Sequence, residues 1–556
     1  MAGNSVNKSL FLILALVISV LTGFSSVPSR AYDVKSDIRA FVEVQNDLSG
    51  KTIILHSNDV HGAIEGYAYV AALKKKLQKD GAEVILVDSG DYSQGTYKGL
   101  DAINAMNAAG YDIATIGNHE FDYGFDNLQA YLSSADFRII CADIYDSNND
   151  SITDPNTIYV TESGVKLGFF GLATPETPHG VKPVYVEGLK FLSGKEMYDC
   201  AQNQINELKA QGSDLIICLS HLGVKEESAI DGNRSLDVYA NTKGMDIMLD
   251  AHSHTVMTQG VNGEPVSSTG AQFQNIGVVI IDDAKKTIED HYLLDFENVK
   301  NALEPDPAAK ATINSIIKRV QDENGIVVVE SEVDLVGDRS PGNRTQETNM
   351  GNLVTDALVW SITGEDGIVT VQKDHVVSVI NGGSVKKSIG KGNVTKNDFI
   401  DALPYANTIT VVCLTGEQLL EALEASTFCI PQECGSYPQT AGIKFTIDTT
   451  VPFAEGEVYP TSDYHRPVII RRVTIHEING QPFSLDDTYA IVTNDYCASG
   501  GGGYGVFKNA SDHYDTGIYV TDAIIDYLKE EFGGVIPESI YGSAENEQTI
   551  IIQENK

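Results

Sequence analysis

The residues best equipped for chemistry in this chain are an amide, an imidazole and a carboxylate in Gly117-Asn-His-Glu-Phe-Asp122: Asn118, His119 and, three residues on, Asp122. They follow the apolar run Tyr111 to Ile116, so they stand at a predicted strand end, where α/β sheets place their sites. Similar residues recur after other apolar runs. Asp59 and His61 lie in Leu55-His-Ser-Asn-Asp-Val-His-Gly62, and Asp91 closes Val87-Asp-Ser-Gly-Asp91. His221 lies in Leu219-Ser-His-Leu-Gly223, and His252 with His254 end Leu249-Asp-Ala-His-Ser-His254. Residues two apart in an extended chain point the same way, so Asp59 and His61 are expected to converge on one ion. Gly90 is expected to turn the backbone sharply before Asp91.

Imidazole with carboxylate suits borderline divalent metals such as Zn, Mn, Co or Fe and needs no cysteine. Asp59, His61, Asp91, Asn118, His221, His252 and His254 make seven potential ligands, more than one structural zinc site uses, so two ions are expected. A shared carboxylate would hold them ~3.5 to 4 Å apart, the spacing of two-metal hydrolytic sites. Any one of these residues alone is an ordinary turn former. Their ordered recurrence at strand ends points to a two-metal hydrolytic site.

The elements that must position them read as alternating strands and amphipathic helices, a layered α/β pattern. Strands are expected at Thr52 to Leu55, Glu83 to Val87, Asp112 to Ile116, Arg138 to Cys141, Lys166 to Leu172, Leu215 to Leu219 and Asp246 to Leu249. Helices are expected at Tyr67 to Gln78, Leu100 to Ala109 and Lys195 to Gln211. This first domain is placed at residues 50–300. Pro305-Asp306-Pro307 punctuates the chain before a helical stretch, Ala308 to Asp322, so residues 301–332 read as the interdomain linker. A second α/β domain is placed at 333–535, with helices at Asn349 to Thr363, Glu417 to Ala425 and Thr521 to Phe532. Its strands are expected at Val376 to Ile380, Thr408 to Cys413, Ile443 to Ile447 and Val468 to Ile475. Residues 536–556 read as a tail.

A chain of 556 residues with 42% hydrophobic and 21% charged residues has the composition of a multidomain globular protein. Asp plus Glu exceed Lys plus Arg by 77 to 39, a formal charge of −38. Such a surface repels nucleic-acid polymers and anionic membranes, while a small anionic substrate is admitted where metal ions or local cations reverse the sign. The seven cysteines form no CxxC pair; Cys429 and Cys434, flanking a loop with Pro431, would form a disulfide in an oxidising compartment. Lys8, the apolar stretch Leu10 to Leu21 and the small residues up to Ala31 read as a secretory signal peptide over residues 1–31. The apolar stretch is shorter than the ~20 residues a membrane-spanning helix needs, so the expectation is an exported protein, extracellular or periplasmic, with no stable membrane anchor after cleavage.

The order Asp-x-His, Gly-Asp, Gly-Asn-His-Glu, Ser-His and His-x-His resembles the calcineurin-like metallophosphoesterases, and the fuller strings around Asp59 and His119 resemble the secreted 5'-nucleotidase family. The resemblance covers most of residues 50–535. It implies a four-layer α/β/β/α metallophosphoesterase sandwich followed by an α/β substrate-binding domain. It implies that Asp59, His61, Asp91 and His254 bind one metal, that Asp91, Asn118, His221 and His252 bind the other, and that Asp91 bridges. His119 and Asp122 are then the catalytic dyad. Two divalent ions would lower the pKa of a water towards neutrality, His119 would stabilise charge on the phosphoryl oxygens, and Asp122 would orient the imidazole.

By the same resemblance Arg344 and Asn381 bind substrate, Lys386 stands where the family usually has arginine, and Tyr405 and Tyr496 sandwich the base. Gly502 stands where the family often has an aspartate that grips the ribose hydroxyls. The substrate implied is a small nucleotide, read as a nucleoside 5'-monophosphate. A UDP-sugar or other pyrophosphate, or a 2',3'-cyclic nucleotide, is the alternative that Lys386 and Gly502 keep open. A catalytically silent nucleotide-binding or surface-interaction protein would have lost ligands or dyad, and this chain retains both. Metals in one domain and base-binding groups in the other require a cleft between the two.

Overall fold

A computed structural model of the chain describes residues 37–39, 47–95, 99–181, 185–224, 232–364, 371–460, 464–543 and 550–553. The signal peptide expected at residues 1–31 lies outside them. Among the described residues no helix is long and apolar enough to cross a membrane.

The first domain is built on two facing sheets. One has seven strands in the order Ile38–Arg39, Thr287–Asp295, Asn275–Asp282, Lys51–Ser57, Glu83–Asp88, Ile113–Ala114 and Arg138–Ile139. The other has six, in the order Val256–Met257, Val266–Thr269, Ile247–Leu249, Leu215–His221, Lys166–Ala173 and Asn156–Val160. Ile54, Ile85, Phe169, Ile217 and Val279 pack between the sheets, so the central strands are buried on both faces and read as continuous apolar runs. Helices Tyr67–Lys79 and Leu100–Ala109 cover the outer face of the first sheet, and Gly194–Ala210 covers that of the second. These are the four layers α/β/β/α. Parallel register sets Ser57 beside Asp88, Asp88 beside Ala114, and Leu219 beside Leu249, so the loops carrying the ligand candidates leave one end of the sandwich.

Helix Pro307–Asn324 starts at Asp306, whose carboxylate accepts from the Ala308 and Ala309 amides, with Pro307 pre-set for the first turn. It buries Ala309, Ile313, Ile316 and Val320 against the first domain's helices. The connection is thus anchored on the first domain. Strand Val327–Ser331 then pairs with Gly392–Thr395 and Val535–Ile536 of the second domain.

The second domain centres on a five-stranded sheet in the order Pro438–Ala441, Val376–Asn381, Thr488–Asn494, Thr408–Thr415 and His513–Tyr519. Helices Asn349–Thr363 and Val520–Phe532 pack on one face through Leu353, Leu358, Ile524 and Leu528. Helix Gly416–Ser426 and a four-stranded sheet pack on the other. That smaller sheet includes Ile550–Gln553, paired with Ile443–Asp448. Cys429 and Cys434 are joined in a disulfide with Cα atoms 5.5 Å apart.

Two local expectations fail. Asp59 and His61 are not on an extended segment: their φ angles are 49° and 45°, in the left-handed region, and they converge because the chain coils there. The strand expected over Val468 to Ile475 is Val473–Ile478, because Arg472 is drawn inward to donate to the Thr427 and Ile430 carbonyls.

Candidate active site

The structure gathers the ligand candidates at the end of the sandwich. Ligand atoms of Asp59, His61 and His254 lie within 4.8 Å of one another, as do those of Asp91, His221 and His252, and those of His61, Asp91 and His119. Asp91 belongs to two of these groups, which suits a bridging carboxylate. Asn118 joins through its Oδ1, 3.0 Å from His252 Nδ1. Proximity does not separate His119 from the ligand candidates.

The donor set fits divalent ions. His61 Nδ1 is buried with no hydrogen-bond partner, His61 Nε2 faces His254 Nε2 at 2.9 Å, and His221 Nε2 lies 3.1 Å from Asp91 Oδ2, so imidazole nitrogens converge on one another and on the Asp91 carboxylate. Burial pushes His61 down to about 3 and His254 down to about 4, which keeps both imidazoles in the neutral form a ligand requires. His221 is the opposite case: burial resists its charging, but the Asp91 and Asp59 carboxylates raise it to about 10. Burial raises Asp59 to about 7. Asp59, His61, Asp91, His252 and His254 all have positive φ, the backbone strain that clusters where a site over-determines the chain. Gly90, where φ is +94°, permits a close approach: a Cβ there would lie 2.6 Å from Gly117 N and 2.8 Å from His221 Nδ1.

His119 Nδ1 lies 3.0 Å from both Asp122 oxygens, and its backbone N–H donates to Asp91 Oδ1 at 3.0 Å. Burial opposes a charged imidazole here, but Asp122 and Asp91 hold His119 well above the ordinary histidine range. Glu120, inside the motif but not singled out by sequence, is fully buried. Its Oε2 accepts from the Asp91 and Gly117 amides and its Oε1 from those of Tyr92 and Ser93. One carboxylate thus ties the loop carrying Asp91 to the loop carrying Asn118 and His119. Asn58 does similar work, donating to Asp59 Oδ2 and Gly270 O while accepting from Thr269. Glu176, also missed, bonds His252 Nε2 at 3.0 Å.

The second domain supplies the opposite wall. His252 and His254 of the first domain line the same cavity, of about 940 Å³, as Arg344, Asn381, Lys386, Tyr405 and Tyr496 of the second. Tyr405 and Tyr496 are 58% and 44% exposed, unusual for large aromatics and suited to stacking a planar ligand. Lys386 Nζ sits 4.9 Å from the Tyr405 ring centroid. Arg344 has a buried Nε without a partner and an NH1 group 3.7 Å from Glu433. Asn381 donates to the Gly435 carbonyl at 3.4 Å. The metal and dyad candidates thus form one connected cluster, and two of its members, His252 and His254, share a cavity with all five substrate candidates. The two domains also touch at the dyad: a Cβ at Gly517, where φ is +66°, would lie 2.7 Å from the Asp122 carboxylate.

Residues 52–256 match the family model for calcineurin-like phosphoesterase, and residues 327–509 match that for the 5'-nucleotidase C-terminal domain. The trifunctional nucleotide phosphoesterase protein YfkN of Bacillus subtilis is 28% identical over 533 residues, a match spanning 87% of this chain but 34% of that longer protein. A 5'-nucleotidase of Vibrio cholerae is 24% identical over 572 residues, covering 93% of this chain and 94% of its own length. Among solved structures, the 5'-nucleotidase precursor from Thermus thermophilus matches with a TM-score of 0.52 and 26% identity, over 91% of this chain and all of that one. The fold is also that of Haemophilus influenzae NAD nucleotidase, with a TM-score of 0.65 at 19% identity over 91% of this chain and 99% of the other.

Proposed function

We propose, for a chain that belongs to the family joining a calcineurin-like phosphoesterase domain to a 5'-nucleotidase C-terminal domain, that it is an exported two-metal 5'-nucleotidase releasing phosphate from nucleoside 5'-monophosphates. The observation that supports this reading is one cavity lined by His252 and His254, members of the candidate metal groups, on one side and by the exposed Tyr405 and Tyr496 on the other. Asp59, His61, Asp91 and His254 would hold one ion, and Asp91, Asn118, His221 and His252 the other. When bound, such ions polarise phosphoryl oxygens and lower the pKa of a nearby water.

The chain's own residues do the rest. His119, held by Asp122, faces the phosphoryl group and offsets charge that grows on its oxygens in the transition state by donating from Nε2. Asp122 fixes the ring orientation and its proton on Nδ1, leaving Nε2 toward substrate. Arg344 and Lys386 supply further positive charge, Asn381 presents an amide, and Tyr405 with Tyr496 stack the base. Stacking tolerates different bases, so the tyrosines select nucleotides as a class.

Lys386 and Gly502 favour a second reading, hydrolysis of a larger nucleotide phosphoester, since a point charge and an absent side chain constrain the substrate less than a planar fork and a carboxylate. Phosphate release from a panel of mono-, di-, cyclic and sugar nucleotides decides between them. The nucleotidase reading expects monophosphates to give the highest kcat/KM; turnover confined to bis-(p-nitrophenyl) phosphate would end it.

A further inference from the structure

Beside the two tyrosines, the cleft holds a polar patch that none of the roles above uses. Thr410, Asp515 and His513 lie on one face of the second domain's central sheet, because Thr410 pairs with Asp515 and Val412 with His513 across adjacent strands. Asp495, immediately before Tyr496, closes the patch, and all four residues line the interdomain cavity. Thr410 is fully buried, and its Oγ1 has no hydrogen-bond partner. A buried hydroxyl left unpaired costs free energy, so a hydroxyl aimed at a ligand cavity signals a missing partner.

The carboxylates are held in place and retain acceptor capacity. Asp515 takes the Thr408 hydroxyl at 2.9 Å and the Gly517 amide at 3.0 Å. Asp495 Oδ1 takes the Tyr496 amide at 2.9 Å. Each carboxylate offers about four lone-pair directions, and these bonds fill only part of them. Although solvent reaches Asp495 through the cavity, enclosure by the cleft walls and then the Asp515 carboxylate push it up to about 7.

Position identifies the ligand. At one end of the patch, two residues beyond Asp515, Gly517 packs on the Asp122 carboxylate of the dyad. At the other end Asp495 adjoins Tyr496, whose ring would stack the base. The group that joins a phosphate at the dyad to a base at Tyr496 is the sugar, and vicinal sugar hydroxyls are donors that suit carboxylates and a threonine hydroxyl. Gly502, in the same cavity, contributes no side chain to this task.

We propose that Asp495, Asp515 and Thr410 form the ribose-diol subsite of this chain and set its preference for ribonucleosides. The proposal rests on the nucleotidase reading, and its test uses binding of nucleosides, which needs no turnover. Isothermal calorimetry of the full chain with adenosine and with uridine, each beside its 2',3'-dideoxy form, measures the preference directly. The wild type should bind the ribo form about tenfold or more tightly, the range expected for hydrogen bonds to charged groups. Asp495→Asn should reduce that ratio to about threefold or less. Thr410→Val, which keeps the side-chain shape and breaks no existing hydrogen bond, should also reduce it without lowering Tm. Equal wild-type binding of ribo and dideoxy forms, or an unchanged ratio in both variants, would overturn this proposal alone. No binding of any nucleoside would overturn the nucleotidase reading and the proposal with it.

Discussion

At the scale of single residues, the account depends on His119 and Glu120 in different ways. His119→Ala removes the imidazole proposed to face the phosphoryl group but no proposed ligand. Steady-state kinetics should therefore show kcat lower by ~10²- to 10⁴-fold, while elemental analysis finds unchanged metal content. Loss of bound metal in that variant would make His119 a ligand instead. Glu120→Gln places an NH2 group among four buried backbone donors, leaving donors unpaired at about 1–3 kcal/mol each. It should lower both Tm and metal affinity; a variant with wild-type values of both would show that the two loops hold themselves. The ligand candidates were legible in the sequence because each stands just beyond an apolar run and their side-chain types form one chemical set. Glu120 was not, although it lies in the same motif: its partners are backbone amides on two loops, and backbone groups leave no trace in residue types. Asp515 was hidden for a related reason, since its neighbours come from strands far apart in sequence.

Among elements, strand His513–Tyr519 carries the contact between domains. Gly517→Ala would drive a methyl into the Asp122 carboxylate and also strain a left-handed backbone. The strand must then lift, so kcat on nucleotides should fall at least ~10-fold, in line with the sensitivity of catalysis to misplacement by an ångström. Wild-type kcat would mean that the dyad works without this contact. The end of strand Lys166–Ala173 supplies a pH test of stability. Asp143 accepts from the Ala173 amide at 3.0 Å and is 1% exposed; burial pushes its carboxyl up to about 7. The folded chain keeps a proton there that the unfolded chain releases near pH ~4, so this carboxyl's contribution to stability falls as pH rises from about 4 to about 7. Asp143→Asn, which stays neutral, should flatten the decline in urea midpoint between pH 5 and pH 7.5; parallel wild-type and variant curves would refute the assignment. Helices such as Leu100–Ala109 and Asn349–Thr363 were readable end to end from their periodicity. The hairpin Asn275–Asp282 with Thr287–Asp295 is not among the expected strands, although its run Ile276-Gly-Val-Val-Ile-Ile281 carries an apolar signal. The short strand Ile113–Ala114 shows the converse: the apolar stretch around it continues as buried loop, because beyond Ala114 the chain leaves the ladder to deliver Asn118.

For the whole molecule, the claim is that one wall of the cleft holds metal and the other holds nucleoside. Neither domain completes the cavity alone, since His252 and His254 come from the first and Tyr405 and Tyr496 from the second. Sequence motifs could assign each wall to its domain, but not show that they face each other. That depends on helix Pro307–Asn324 being anchored on the first domain and on the seating of Gly517 against Asp122. The most direct test is phosphate release from a nucleoside monophosphate, followed as the chelated chain is reloaded with Mn or Zn and its bound metal is counted. The account predicts no turnover in the chelated chain, and activity that rises as the second ion per chain is bound. Turnover that survives chelation, or full activity with one ion per chain, would contradict it.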